Sequence, residues 1–313
     1  MKIASLISLI VLSCMQRSSA WGFWGHKAIN RMACFTLPSA MFSFYKSNIE
    51  YLTEHAVDPD KRRYSDPLEA PRHFIDLDQY GASPFDSLPQ RWKDAVGKYS
   101  EDSLMKHGIV PWHIYRVYHQ LRKAFADKDV SRILYYSASL GHYIADAHVP
   151  LHCTRNYNGQ LTNQTGIHGF WESRLPELFG EDYDFLAGRA EYVVDVQSYC
   201  WKVLQGSYGA LDSVLSFERK INDEFDSDRK YAYEMRGNVM QRVYSREYAA
   251  GYHESLNGQV ERRMFAAIRA VGSLWFTAWV DAGMPELNLI KVEIVPEEVP
   301  ADSLKPGQVR SCD

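Results

Sequence analysis

Cysteine is scarce in this chain, five among 313 residues, and Cys14 falls inside an N-terminal apolar stretch. Cys34, Cys153, Cys200 and Cys312 are too few for a disulfide scaffold, and their spacing fixes no pairing. No apolar run approaches the roughly 20 residues a membrane-spanning helix needs. There is no internal repeat, no glycine-rich phosphate loop after a strand and no nucleophile elbow, so the common phosphate-loop and serine-hydrolase readings have nothing to stand on. Positive charge is not in excess either. The 35 basic and 39 acidic residues give a net charge of −4, which argues against general polyanion binding. What remains is an ordinary globular composition, 46% apolar, 13% aromatic and 24% charged, sufficient for one large or two ordinary domains.

The first twenty residues read as a secretory signal. Lys2 supplies the positive end, Ile3 to Leu12 the apolar core, and Ser18-Ser19-Ala20 the small-residue cleavage site. The sequence therefore predicts a secreted or periplasmic protein with three parts: signal 1–20, a helical domain 21–285 and a tail 286–313. Removing Lys2 and Arg17 leaves 33 basic against 39 acidic residues, a net of −6. A lipoprotein signal ending at Cys14 is the competing reading, although Leu12 suits such a site poorly.

Helical periodicity dominates the rest. A first helix carries Ile29, Met32, Ala33 and Phe35. Pro38 opens a second, whose stripe is Met41, Phe42, Tyr45, Ile49 and Leu52. Three helices fit between Gln90 and Lys128, punctuated by Ser100, Gly108 and Pro111. Further helices are expected at Val196–Leu215, near Glu234–Tyr252 and across Gln259–Gly283, with Leu289 to Ile294 a short strand or extended tail. The fold reading is all-α, a single-domain multi-helix bundle.

The chemistry concentrates around Gly141 to His152. His142 and Asp146 are four apart and share a helix face, and an imidazole and a carboxylate so placed can close on one zinc ion. His152 follows the Pro150 stop, where the chain can turn back over that face; His148 points elsewhere. Sixteen residues on, His168 and Glu172 repeat the four-residue spacing. One such pair alone is an ordinary surface pair contributing a few tenths of a kcal/mol. Two pairs flanking a spare histidine point to metal.

In chain order, Trp21-Gly-x-x-Gly-His26, Asp58, His73-Phe-Ile-Asp, His142-x3-Asp146-x5-His152 and His168-x3-Glu172 resemble the superfamily of zinc-dependent phospholipases C and S1/P1 nucleases. The resemblance runs from Trp21 to Glu172 and implies a helical bundle around a trinuclear metal cluster, three Zn2+ per chain. It assigns Asp58, His73, His142 and Asp146 to one ion. The amino group and carbonyl of Trp21, with His26 and a shared Asp146, go to a second; His152, His168 and Glu172 go to the third. Asp58 is preferred because its separation of fifteen from His73 suits the family spacing; His55 and Asp60 are the alternatives. An α-amino group titrates near pH 8, where a metal can displace its proton, and Trp21 has such an amine only after cleavage behind Ala20. Water held between two ions roughly 3.5–4 Å apart would be acidified and attack phosphorus in line, with Asp58 an additional candidate for orienting it.

The implied reaction is hydrolysis of a phosphodiester, with a phospholipid head group or a single-stranded nucleic acid as substrate and no stable protein partner. His-x3-Glu and the short interval from His152 to His168 favour phospholipase C. Lys61 as a phosphate-binding residue and Phe74 as a stacking ring favour a nuclease with 3′-nucleotidase activity. Arg62 and Arg63 read as a solvated loop. The rival outside enzymes is a non-catalytic zinc-binding structural protein, disfavoured because structural zinc sites are usually closed and cysteine-rich.

Overall fold

The computed structural model describes residues 22–287, so Trp21 and the expected strand at 289–294 lie outside the described residues. The described chain is mostly helical. Its first half holds α1 (Gly22–Ala33), α2 (Ser39–Ser47), α3 (Ile49–Glu54), α4 (Asp58–Arg62), α5 (Pro84–Ser87), α6 (Trp92–Tyr99) and α7 (Glu101–His107). The second half holds α8 (Val110–Asp127), α9 (Val130–Ala147), α10 (Ile167–Gly169), α11 (Leu175–Phe179), α12 (Val196–Glu224), α13 (Arg246–Ser255) and α14 (Gln259–Asp281). Two short strands, β1 (Tyr231–Arg236) and β2 (Val239–Tyr244), form an antiparallel hairpin between α12 and α13.

The centre is α9. Asp129 caps it by accepting from the Arg132 amide at 3.0 Å, which satisfies one of the donors a helix start leaves open. Every residue from Ser137 to Ala147 is buried, the pattern of a helix enclosed on all sides. It packs against α8, α14, α1 and α3. Gly141 sets the approach of α1: a Cβ there would collide with Asn30 Oδ1. Asn30 cannot swing aside, because its Nδ2 donates to Leu52 O (3.2 Å) and Ala138 O (3.1 Å). Opposite, α14 buries Met264, Ala267, Ile268, Val271, Leu274 and Trp275. Trp275 stacks on Tyr45 at 4.9 Å and donates its indole N–H to Ser137 O at 3.0 Å, so apolar bulk and a satisfied polar atom arrive together.

Three sequence expectations change. The stripe from Met41 to Leu52 is divided at Asn48 into α2 and α3. Phe35 leaves the first helix for a 3-10 turn and is 49% exposed. The helix expected near Glu234–Tyr252 is instead the hairpin followed by α13. Alternating apolar and polar residues flank the two-residue Gly237-Asn238 connection, with Gly237 at φ 61°, and that combination favours a tight hairpin over a continuous helix.

Candidate metal centre

Seven segments meet at the N-terminal end of α1 and the C-terminal end of α9. His26 comes from α1 and Asp60 from α4. His73 closes the 3-10 turn Ala70–His73, and His142 and Asp146 lie on α9. Pro150 cannot extend α9, and the chain folds into the 3-10 turn Pro150–Cys153, which swings His152 back over the helix face. The Ile75 amide fixes that return by donating to His152 O at 2.9 Å. His168 sits on α10, which Gly166 starts from a left-handed conformation at φ 100°. Glu172 follows on a single π-helical turn, Phe170–Arg174, a local widening often found at functional sites.

These side chains converge as three buried groups: His26, His142 and Asp146; Asp60, His73 and His142; His152, His168 and Glu172. Asp146 is the hub. Its Oδ2 lies 2.8 Å from His73 Nδ1 and 3.2 Å from His142 Nε2. Its Oδ1 lies 3.4 Å from His26 Nε2 and 3.7 Å from His152 Nδ1. The His26 and His142 rings stack at 3.9 Å. In the third group, His152 Nε2 is 3.0 Å from His168 Nε2, and Glu172 Oε2 is 2.9 Å from His168 Nε2 and 3.4 Å from His152 Nε2.

The ring nitrogens facing away from these groups are tied down. His142 Nδ1 donates to Ala56 O and His152 Nδ1 to His73 O, both at 2.8 Å. Their Nε2 atoms therefore aim lone pairs inward, toward Asp146 and Glu172. His73 turns Nε2 to Glu69 Oε1 at 3.4 Å and keeps Nδ1 inward. Glu69 is itself held by the Tyr143 hydroxyl, by Arg72 Nη1 at 2.6 Å and by Arg62 Nε at 3.4 Å. Burial opposes the charged form of Glu69, but His73, Arg62 and Arg72 overcome it and hold the carboxyl far below its usual range.

Electrostatics support cation binding. Burial lowers the His26 pKa and neighbouring His142 lowers it further. Burial also lowers the His152 pKa. For Asp146, burial pushes upward, yet His142 and His152 bring the carboxyl well below its ordinary value. For His73 burial pushes downward, but Asp146 and Glu69 raise its pKa above the usual histidine value. The interior thus gathers Asp60, Asp146 and Glu172 among five buried imidazoles. Both His26 ring nitrogens, both Asp60 oxygens and Asp146 Oδ1 are buried and make no hydrogen bond. Inward lone pairs and desolvated carboxylates carry a large penalty unless a cation lies between them. Nitrogen and oxygen donors in groups of three suit zinc.

Asp58 is the correction. Its carboxylate faces outward, 2.5 Å from His55 Nδ1 and 2.8 Å from Lys61 Nζ. Asp60, 4% exposed, enters the centre instead, with Oδ1 3.9 Å from both His73 Nδ1 and His142 Nε2. On the opening turn of α4 two residues are about 200° apart, so only one of the pair can face α9. Lys61 is half exposed and paired with Asp58. Phe74 is 3% exposed and packs at Gly108, so its ring offers no open stacking surface. Arg62 and Arg63 are not a solvated loop: Arg62 joins the Glu69 network, and Arg63 reaches Asp60 at 3.8 Å. His148 stays off the centre, donating Nδ1 to Ile144 O at 2.7 Å. Glu69, Tyr143 and Arg72 were missed by sequence reasoning, although Glu69 stands four before His73, the same spacing that exposed the other pairs.

A helical fold closed on three buried imidazole–carboxylate groups fits a multi-metal site. Residues 25–235, about two-thirds of the chain, match the family described as Zinc dependent phospholipase C. The chain belongs to that family, within the superfamily it shares with S1/P1-type nucleases. A search of curated proteins finds no match to it.

Proposed function

We propose that the mature chain is a secreted zinc-dependent phosphodiesterase of the phospholipase C type, splitting a phospholipid into diacylglycerol and a phosphorylated head group. The observation that carries this reading is the hub at Asp146, whose two oxygens face His26 and His152 on one side and His73 and His142 on the other. Asp60, His73, His142 and Asp146 would hold one zinc ion, His26 and Asp146 with the Trp21 amine a second, and His152, His168 and Glu172 a third. Bound zinc supplies Lewis acidity and an acidified water at neutral pH. Asp146 keeps the groups in fixed register. Glu69 orients His73, and the carbonyls of Ala56 and His73 orient His142 and His152, so little reorganisation is left for the reaction.

The nuclease reading has less support, because Phe74 is buried and Lys61 is neutralised by Asp58. Parallel assays on phosphatidylcholine vesicles and single-stranded RNA decide between them. Release of phosphorylated head group, abolished by a chelator and restored by zinc, is expected. Preferential RNA cleavage, or no turnover with three zinc ions bound, would overturn the proposal. An extra residue placed before Trp21 should reduce zinc content below three per chain; unchanged content would remove the terminal amine from the site.

A further inference from the structure

The hairpin is clamped by ion pairs on one face; on the other, Tyr244 at the base stacks on Phe170 and Tyr248 and only the outer half is open. Its register pairs Tyr233 with Arg242 and Met235 with Met240 on the outward face, and Glu234 with Gln241 on the inward one. Inward, Glu234 makes a bidentate pair with Arg174 at 2.6 and 2.9 Å, and Arg236 pairs with Glu177. Outward, Tyr233 is 72% exposed, Met235 59% and Met240 58%, while Val239, opposite Arg236 on the other face, is 49% exposed beside the turn. A contiguous apolar surface at the end of an isolated two-stranded ribbon contributes nothing to stability and invites association.

We infer that this hairpin is a docking surface for an anionic phospholipid bilayer. Charge argues for the occupant. Residues 229–246 contain Arg229, Lys230, Arg236, Arg242 and Arg246 against the single acid Glu234, a net of +4 in a chain whose total is −4. Arg229 is paired with both Asp226 and Glu247, Lys230 with Glu218 and Arg236 with Glu177, so the positive charge left for a bilayer is that of Arg242 and Arg246. Arg242 instead lies 3.8 Å over the Tyr231 ring and, among the described residues, forms no ion pair. Flexible methionines, a valine and a tyrosine beside basic residues suit the boundary between acyl chains and head groups. Nucleic acid is a poorer fit, since methionine and valine present no flat ring for bases and only Tyr233 is an exposed aromatic residue of that face.

The hairpin also bears on the proposed site. Tyr244 stacks on Phe170 at 3.9 Å, and its carbonyl accepts from Arg174 Nε at 3.1 Å. Its hydroxyl lies against Gly166. Phe170, Arg174 and Gly166 belong to the stretch that presents His168 and Glu172, so a bilayer under the hairpin would be held in fixed relation to that group. The relevance to turnover rests on the phospholipase reading; the binding itself does not.

The test compares the zinc-loaded chain with a Tyr233→Ser, Met235→Ser, Met240→Ser triple variant. Co-sedimentation with vesicles of phosphatidylcholine plus phosphatidylserine should weaken by roughly tenfold or more, while hydrolysis of monomeric short-chain phosphatidylcholine stays unchanged. In a separate Met240→Trp variant, added emission should shift to the blue on mixing with the same vesicles. Equal sedimentation of wild type and triple variant, no sedimentation of wild type, or no spectral shift would overturn the inference. So would loss of a dimer or of RNA binding in place of vesicle binding. If neither protein hydrolyses monomeric substrate, the phospholipase reading fails, and the sedimentation difference still decides this one.

Discussion

Asp58 and Asp60 show how far spacing can carry a ligand assignment. Both are acids on the same short turn, and a preferred interval of fifteen to His73 selects the first. What separates them is helix phase together with a cation: Lys61 draws Asp58 outward, and α9 admits only Asp60. Asp60→Asn should therefore lower zinc stoichiometry, whereas Asp58→Asn should leave it intact, as read by metal analysis after dialysis. The reverse result would restore Asp58. Glu69 acts through His73, so Glu69→Gln should weaken zinc binding by roughly 10–100-fold, measured by competition with a metal indicator. The ligand-type residues His26, His73, His142, Asp146, His152, His168 and Glu172 were legible because their residue types and intervals are local. Glu69 was not, because a buried acid becomes conspicuous only once Arg62, Arg72 and Tyr143 surround it, and those come from separate segments.

The elements were legible where periodicity was long. α8, α9 and α14 declare themselves by apolar spacing, caps and breakers. The hairpin did not, because its tyrosines and methionines suit a helix face as well as a strand, and the Gly237-Asn238 connection alone distinguishes the two. Helix contacts are equally silent in a linear reading. Gly141 matters because α1 approaches α9 there, so Gly141→Ala should destabilise the fold by about 1–3 kcal/mol through overpacking, visible as a lower urea midpoint. It should also separate His26 from His142 and weaken zinc retention; a variant as stable as wild type would mean the two helices can slide apart freely.

At the scale of the molecule, buried ionisable groups set the response to acid. His113 is enclosed beside Tyr143 at 4.3 Å. Burial, with Arg116 and Arg72, holds its pKa well below the ordinary histidine value. In the unfolded chain it binds a proton near pH 6.5, whereas the native chain resists until lower pH. The unfolded state then carries more protons, so this stabilisation is complete above about pH 6.5 and lost as pH falls toward the lowered native value. A His113→Gln variant should show a shallower fall of Tm between about pH 7 and 5; parallel curves would exclude His113 as a contributor. Zinc should raise Tm with the logarithm of its free concentration once that exceeds Kd, and chelation should reverse the gain.

The enclosure of α9 has a kinetic consequence. The amides of this stretch, buried from Ser137 to Ala147, exchange with solvent only when neighbouring helices part. Hydrogen exchange there would be timed by the breathing of α1 and α14 against α9, and a variant that loosened those contacts would loosen the spacing of His142 and Asp146 with it.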